Sequence, residues 1–352
     1  MSRIDIEQFR EHEKQGLITC RSHPTADLVI WNYTPKCQFE RAWNEVTMQA
    51  RGLITTPDGA VKARCFRKFF NIEESQYTIP LEPFKVTAKE DGSFGICYFL
   101  DGKPYIATRG SFTSEQAKQG TKILYDKYSR FIPFLISTSY YTYLFEIIYP
   151  SNRIVVDYGD KEDLILLAII DTETGEEYDI HNPTWVDMRP FPVVKHYDGI
   201  KDINELKKLE EPNKEGFVIR FESGLRLKCK FEEYVRLHKL LTQCTARTIW
   251  ELLRNNQSFN DLLEKVPDEF YKWVQTTRDT LQAQFNNIEI FAKEIYAQVK
   301  DLPTRKEQAA IIIKHAYSAV VFSMLDGKSY ADIIWKQLKP QAEKPFKEDI
   351  DA

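Results

Sequence analysis

Apolar residues in this chain change their period close to Lys239, and that change fixes its division into two kinds of structure. From about Val29 to Tyr234 they fall mostly in short alternating or continuous runs, the spacing of β-strands. Residues 95–100, the turn Asp101-Gly102 and residues 105–108 read as a hairpin. Residues 114–130 and 204–209 have helical spacing, and the polar stretch 171–213 reads as a surface excursion between two core strands. Beyond Lys239, residues 248–253, 269–299, 305–325 and 330–338 carry apolar residues at helical period, punctuated by Pro303 and Asp326-Gly327. Residues 340–352 read as a frayed tail. The pattern predicts an α+β chain, with a sheet-rich domain over 1–240 and an all-helical domain over 241–352.

Composition narrows the setting. A chain of 352 residues can bury one large core and one smaller one. A net charge of −4 gives no global signature of nucleic-acid binding, so any basic groove has to be local. The six cysteines are scattered without a Cys-x-x-Cys pair, which predicts free thiols in a reducing compartment rather than zinc. Met1 leads into polar residues unlike a signal peptide, and the longest apolar run, 164–170, is too short for a bilayer. A soluble cytoplasmic protein is expected.

Four motifs carry chemistry. Lys89-Glu90-Asp91-Gly92-Ser93 follows the strand-like run 84–88, so an amine sits where strand gives way to turn, and Gly92 lets a bulky ligand approach the backbone. Alone it reads equally as a charged β-turn. Glu146 lies inside the apolar run 144–148, and Glu215-Gly216 opens another at 216–219. Embedded carboxylates are costly unless they bind something. In the run 225–230 Lys228 and Lys230 point to one side, where they repel each other unless an anion lies between. Lysine, two embedded acids and a Lys-x-Lys strand suit a phosphate with a metal.

In that order these motifs resemble the ATP-dependent RNA ligase 1 family of phage type, within the covalent nucleotidyltransferases. The likeness runs from about Leu28 to about Lys239 and takes in Gln49-Ala50-Arg51-Gly52, Lys68-Phe69-Phe70-Asn71, Arg109-Gly110-Ser111, Ser114-Glu115-Gln116-Ala117 and residues 150–155. It implies a nucleotidyltransferase fold of ATP-grasp-like antiparallel sheets, the ligase adenylation domain, followed by helices. It implies an RNA ligase that uses ATP, with Mg²⁺ or Mn²⁺, and joins a 5′-phosphate to a 3′-hydroxyl through lysyl-AMP.

By resemblance Lys89 is the nucleophile, supported by Asp91 and Gly92. Glu146 holds the ribose, Glu215 the metal, and Lys228 and Lys230 the α-phosphate. Arg51 and Lys68 take the β- and γ-phosphates, Arg109 is a further basic contact, Tyr234 a phosphate contact and Trp31 an aromatic near the nucleotide. Leu166 and Val218 are expected to sandwich the base, which favours ATP over GTP. A lysine with a pKa of about 10.4 must lose its proton to attack, and Lys228, Lys230 and the metal are expected to promote that loss. The partners implied are single-stranded RNA or a nicked tRNA loop in RNA repair and tRNA processing, with a separate end-healing kinase or phosphatase, no membrane and a monomeric chain. The alternatives are a DNA ligase, a GTP-dependent capping enzyme, which would carry an OB-fold after Lys230, and a non-catalytic RNA-binding relative.

Overall fold

The strand that ends at Lys89 is the structural axis of the site. In β6 (Phe84–Lys89) Val86 and Ala88 are buried while Lys85, Thr87 and Lys89 face the other way, the alternation of a pleated strand. A computed structural model gives the fold; it describes residues 2–74, 79–182, 190–206, 208–263, 266 and 268–344. Among them three sheets lie before residue 235. The first, antiparallel, orders β1 (Ile18–Ser22), β2 (Val29–Tyr33), β3 (Arg51–Thr55) and β4 (Val61–Ala63). The second orders β11 (Glu177–Tyr178), β10 (Asp163–Asp171), β9 (Tyr141–Ile148), β7 (Ser93–Leu100) and β8 (Lys103–Ala107), again antiparallel. The third orders β12 (His196–Tyr197), β6, β13 (Gly216–Phe221), β14 (Arg226–Lys230) and β5 (Phe70–Asn71), of which only the β14–β5 pair is parallel.

β9 is buried along almost its whole length, which explains its unbroken apolar run and makes Glu146 the exception within it. Helices not expected from strand spacing occur at Ile6–Lys14, Pro35–Glu40, Glu45–Gln49 and Ile132–Ser137. Three begin at ordinary caps: Asp5, Thr34 and Asn44 each accept a hydrogen bond from the first turn. The expected helix over 114–130 is Glu115–Tyr128 followed by a 3₁₀ turn, and that over 204–209 is Ile203–Leu206.

The stretch 171–213 is more than a surface excursion. It adds edge strands β11 and β12 to two sheets and buries Ile180, Phe191 and Val194 in the core of the second sheet. Residues 183–189 and 207 within it lie outside the described residues.

Contacts divide the chain after Val235 into two compact units. Among the described residues of the second, the elements are helices: the latter part of Glu232–Gln243, then Ala246–Arg254, Asn260–Leu263, Asp268–Val299, Arg305–Ile312, Ser318–Leu325 and Ala331–Gln337. The run expected over 305–325 is thus two helices. Their core joins Ile288, Ala292 and Ile295 of the longest helix to Ile312, Val320, Val321 and Ile334. Glu343 accepts a hydrogen bond from the Ala246 amide, so the tail is tied at least that far; residues 345–352 lie outside the described part. No helix among the described residues is long and apolar enough to cross a membrane.

Candidate active site

Register brings the two lysine motifs to one glycine. Gly216 lies opposite Lys89 of β6 on one side and opposite Lys230 of β14 on the other. Its φ is +146°, and a Cβ there would stand 2.1 Å from the carbonyl oxygen of Cys229, so only glycine fits. The preceding Glu215, 3% exposed, therefore reaches between the lysines: Lys89 Nζ donates to Oε2 and Lys230 Nζ to Oε1, each at 2.7 Å. Burial works against the Glu215 charge, but the two ammoniums outweigh it and hold the carboxyl below the usual range.

The turn after Lys89 is fixed residue by residue. Asp91 is 3% exposed; its Oδ2 accepts from the Val155 and Val156 amides at 2.9 Å and its Oδ1 from the Tyr234 hydroxyl at 2.7 Å. These three hydrogen bonds anchor Asp91 in the turn, although burial and then Glu215 raise its pKa above the usual carboxylate range. The Gly92 amide donates to Glu146 Oε1 at 2.9 Å. A Cβ on Gly92 would lie 2.5 Å from the Ile147 carbonyl and 2.6 Å from Ile148 Cδ1. Close contact with β9, rather than with a ligand, is what demands this glycine.

Burial in the apolar strand pushes Glu146 up to about 8. Lys228, opposite Val218, is pushed down to about 7 by burial and then by the Lys89, Lys230, Lys68 and Arg51 cations. Lys89 goes against expectation. Burial alone would lower it, but Glu215, Glu146 and Asp91 together hold its proton more tightly than in a free lysine. Lys228 and Lys230 do not overcome those carboxylates in this state of the site.

A cleft of about 250 Å³ opens beside Lys89, walled by Arg51, Arg109, Glu146, Thr87, Val218, Leu167 and Val194 among others. Arg51 and Arg109 line it, and Lys68 lies close to both through the Tyr33 ring and hydroxyl. Arg109 donates to the Tyr33 hydroxyl at 3.0 Å; the Arg51 guanidinium lies over Phe69 and Phe94, and Lys68 Nζ over Tyr33, Trp43 and Phe70 at 5.0–5.4 Å. Burial of Tyr33 is outweighed by Arg109, Arg51 and Lys68, which lower its pKa, and Lys228 feels Arg51 and Lys68 in turn. Lys68 itself borders a neighbouring cavity of about 570 Å³ that shares Phe66, Phe69 and Arg226 with the cleft.

Three of the residues expected at the nucleotide are placed elsewhere. Trp31 is fully buried in the first sheet's core against Phe9, its Nε1 donating to Thr55 Oγ1 at 3.0 Å. Tyr33, two residues on, is the aromatic that reaches the cations. Leu166 is fully buried, because β10 bulges between Leu166 and Ala168 and turns Leu167 to the cleft instead. Tyr234 is 4% exposed and its hydroxyl is committed to Asp91, so it braces the turn instead of meeting a phosphate. Sequence reading also missed Tyr158 and the cleft-lining Val194, since neither belongs to a charged motif.

The sheets and the lysine–carboxylate site define a nucleotidyltransferase domain. A family model described as RNA ligase matches residues 49–235, more than half of the chain. The chain belongs to this family, the RNA ligase 1 family of phage type. It is 27% identical over 282 residues to a putative bifunctional polynucleotide kinase/RNA ligase of Autographa californica nuclear polyhedrosis virus, covering 71% of this chain and 39% of that one. It is 22% identical over 406 residues to an RNA ligase of Rhodothermus phage RM378, covering 92% of this chain and 89% of the relative. The chain thus spans about two fifths of the baculovirus relative and most of the phage one. Among solved structures, an archaeal ATP-dependent RNA ligase aligns with a TM-score of 0.48 at 13% identity, over 92% of this chain and 96% of that one. A Naegleria gruberi RNA ligase with PPi aligns with a TM-score of 0.38 at 20% identity, over 45% and 52%.

Proposed function

We propose that the chain is an ATP-dependent RNA ligase in which Lys89 carries AMP. The observation that carries this reading is Lys89 at the wall of a cleft that Arg51 and Arg109 also line, with Glu215 between it and Lys230. The Lys89 amine forms a bond to the α-phosphorus of ATP as the bond to the β-phosphate breaks and pyrophosphate leaves. An oxygen of an RNA 5′-phosphate then takes the AMP from Lys89, and a 3′-hydroxyl displaces AMP to leave a phosphodiester. Such chemistry needs positioning and charge neutralisation more than acid–base groups.

Arg51, Lys68 and Arg109 are assigned to the β- and γ-phosphates, Lys228 and Lys230 to the α-phosphate, and Glu146 to the ribose. The base is assigned to the slot of Val218, Leu167 and Val194. A divalent cation suits the crowding of Glu215, Glu146 and Asp91, which oppose one another's charge. Glu215 is the residue that would hold it, and magnesium commonly completes its shell with water and substrate phosphate. Among the described residues no group of three His, Cys, Asp or Glu side chains forms a metal cage. When bound, the metal would neutralise phosphate charge. Lys89 attacks only as a free amine, so Glu215 has to release it first.

Residues 1–240 are assigned the chemistry and 241–352 the choice of RNA, a nicked tRNA loop being the structured substrate proposed. Phosphorylated ends would come from a separate kinase or phosphatase, and the ligase would act as a cytoplasmic monomer. The test is joining of 5′-phosphate RNA and of 5′-phosphate DNA by the purified chain with ATP and Mg²⁺ or Mn²⁺. RNA joining is expected; joining of DNA alone would favour the DNA ligase reading.

A further inference from the structure

Glu90, between the nucleophile and Asp91, is an acid at the edge of a cleft read as taking a polyanion. Nothing in the chemistry proposed for the site uses it, and a free carboxylate there would compete with phosphate for the cations. The structure shows what restrains it. The Asp91 amide donates to the Tyr158 hydroxyl oxygen at 2.8 Å, and the hydroxyl donates to Glu90 Oε2 at 2.8 Å. Because the amide fills the oxygen's acceptor side, the phenol proton is directed to Glu90.

Tyr158 is itself held. Its ring packs against the core of the second sheet, and the neighbouring Asp157 backbone is gripped by Asn213, which accepts from the Asp157 amide at 2.6 Å and donates to its carbonyl at 2.8 Å. The turn does not depend on the hydroxyl, since Asp91 keeps its bonds to Val155, Val156 and Tyr234. The hydroxyl has two tasks, accepting from the Asp91 amide and holding Glu90, and only the second is relieved by changing Glu90.

We propose that Tyr158 is a positioning residue of the first step, whose hydroxyl fixes the Glu90 carboxylate at the cleft wall and keeps it from swinging toward the cations that take the triphosphate. This rests on Lys89 being the nucleophile. The charged groups around Lys89 are Glu215, Glu146, Asp91 and Lys228, with Lys230 beyond Glu215, and Glu90 would join them on release.

The test is the rate of AMP transfer to Lys89 as a function of ATP concentration, in the full-length protein. Tyr158→Phe keeps the ring, and its kcat/KM for ATP is expected to fall on the order of 10- to 100-fold. Sealing of RNA that already carries a 5′-adenylate should fall much less. Adding Glu90→Gln to Tyr158→Phe should recover most of the loss, the coupling expected of two groups joined by one hydrogen bond. Thermal unfolding of the single and double variants is read alongside, and rescue without a rise in Tm marks positioning rather than folding. A double variant as slow as the single one, or Tyr158→Phe as fast as the unaltered chain, overturns the proposal. An unaltered chain that takes up no AMP overturns the nucleophile reading instead.

Discussion

Lys89 is held as an ammonium by Glu215, Glu146 and Asp91, while Lys228 two strands away is driven toward neutrality by burial and four cations. The residue types were legible in the sequence, but the direction of the Lys89 shift was not, because it depends on which charges the fold sets closest. Lys228 gives a check with a definite sign. It releases its proton near 7 when folded and near an ordinary lysine's value, about 10.4, when unfolded. Between those values the unfolded chain binds more protons, so this group makes stability rise with pH and costs most below pH 7. Lys228→Met should therefore melt above the unaltered chain at pH 6, by roughly 2–4 °C for each kcal/mol relieved. The gap should close toward pH 10, and a gap independent of pH would contradict the depressed value. Arg51 and Lys68 make a separate prediction, since the groups assigned to them leave with pyrophosphate. Arg51→Ala and Lys68→Ala should lose most AMP uptake from ATP yet still seal pre-adenylylated RNA; equal loss in both assays would place them with the RNA or the fold.

Backbone geometry sets the site at the level of strands and turns. Gly216 lets β13 run between two lysine-bearing strands, and Gly92 lets the turn after Lys89 lie against β9. Gly216→Ala must displace the Cys229 carbonyl and is expected to cost stability and nearly all AMP uptake together. A Gly216→Ala protein with unchanged Tm and labelling would show that the register does not position Glu215. The Glu-Gly and Lys-x-Lys motifs could be read because each packs its chemistry into two or three adjacent residues. Leu167 could not, because a single bulge in β10 exchanges its facing with that of Leu166, and periodicity carries no trace of it. Tyr33 could not be told from Trp31 by composition, since both are aromatics of β2 and only the positions of Arg109 and Lys68 decide between them.

Two compact units meet in sequence at Val235–Arg236, and the passage from sheets to helices near there was visible in the change of apolar period. The stretch 171–213 was less so: its polar composition hides Ile180, Phe191 and Val194, which long-range packing draws into the core. Each residue assigned to the chemistry lies in the first unit. A chain ending near Thr242, if it folds, is expected to keep AMP uptake and joining of simple single strands while losing preference for a nicked tRNA loop. Failure of a folded truncation to take up AMP would make the helices part of the catalytic site. The most direct measurement is incubation of the full chain with α-labelled ATP and a divalent metal, followed by denaturing electrophoresis and mapping of the labelled peptide. The expected result is an acid-labile AMP adduct on Lys89, absent from Lys89→Ala and from Lys89→Arg, whose guanidinium keeps its proton. An unlabelled chain, or a Lys89→Ala protein that still carries AMP, would contradict it.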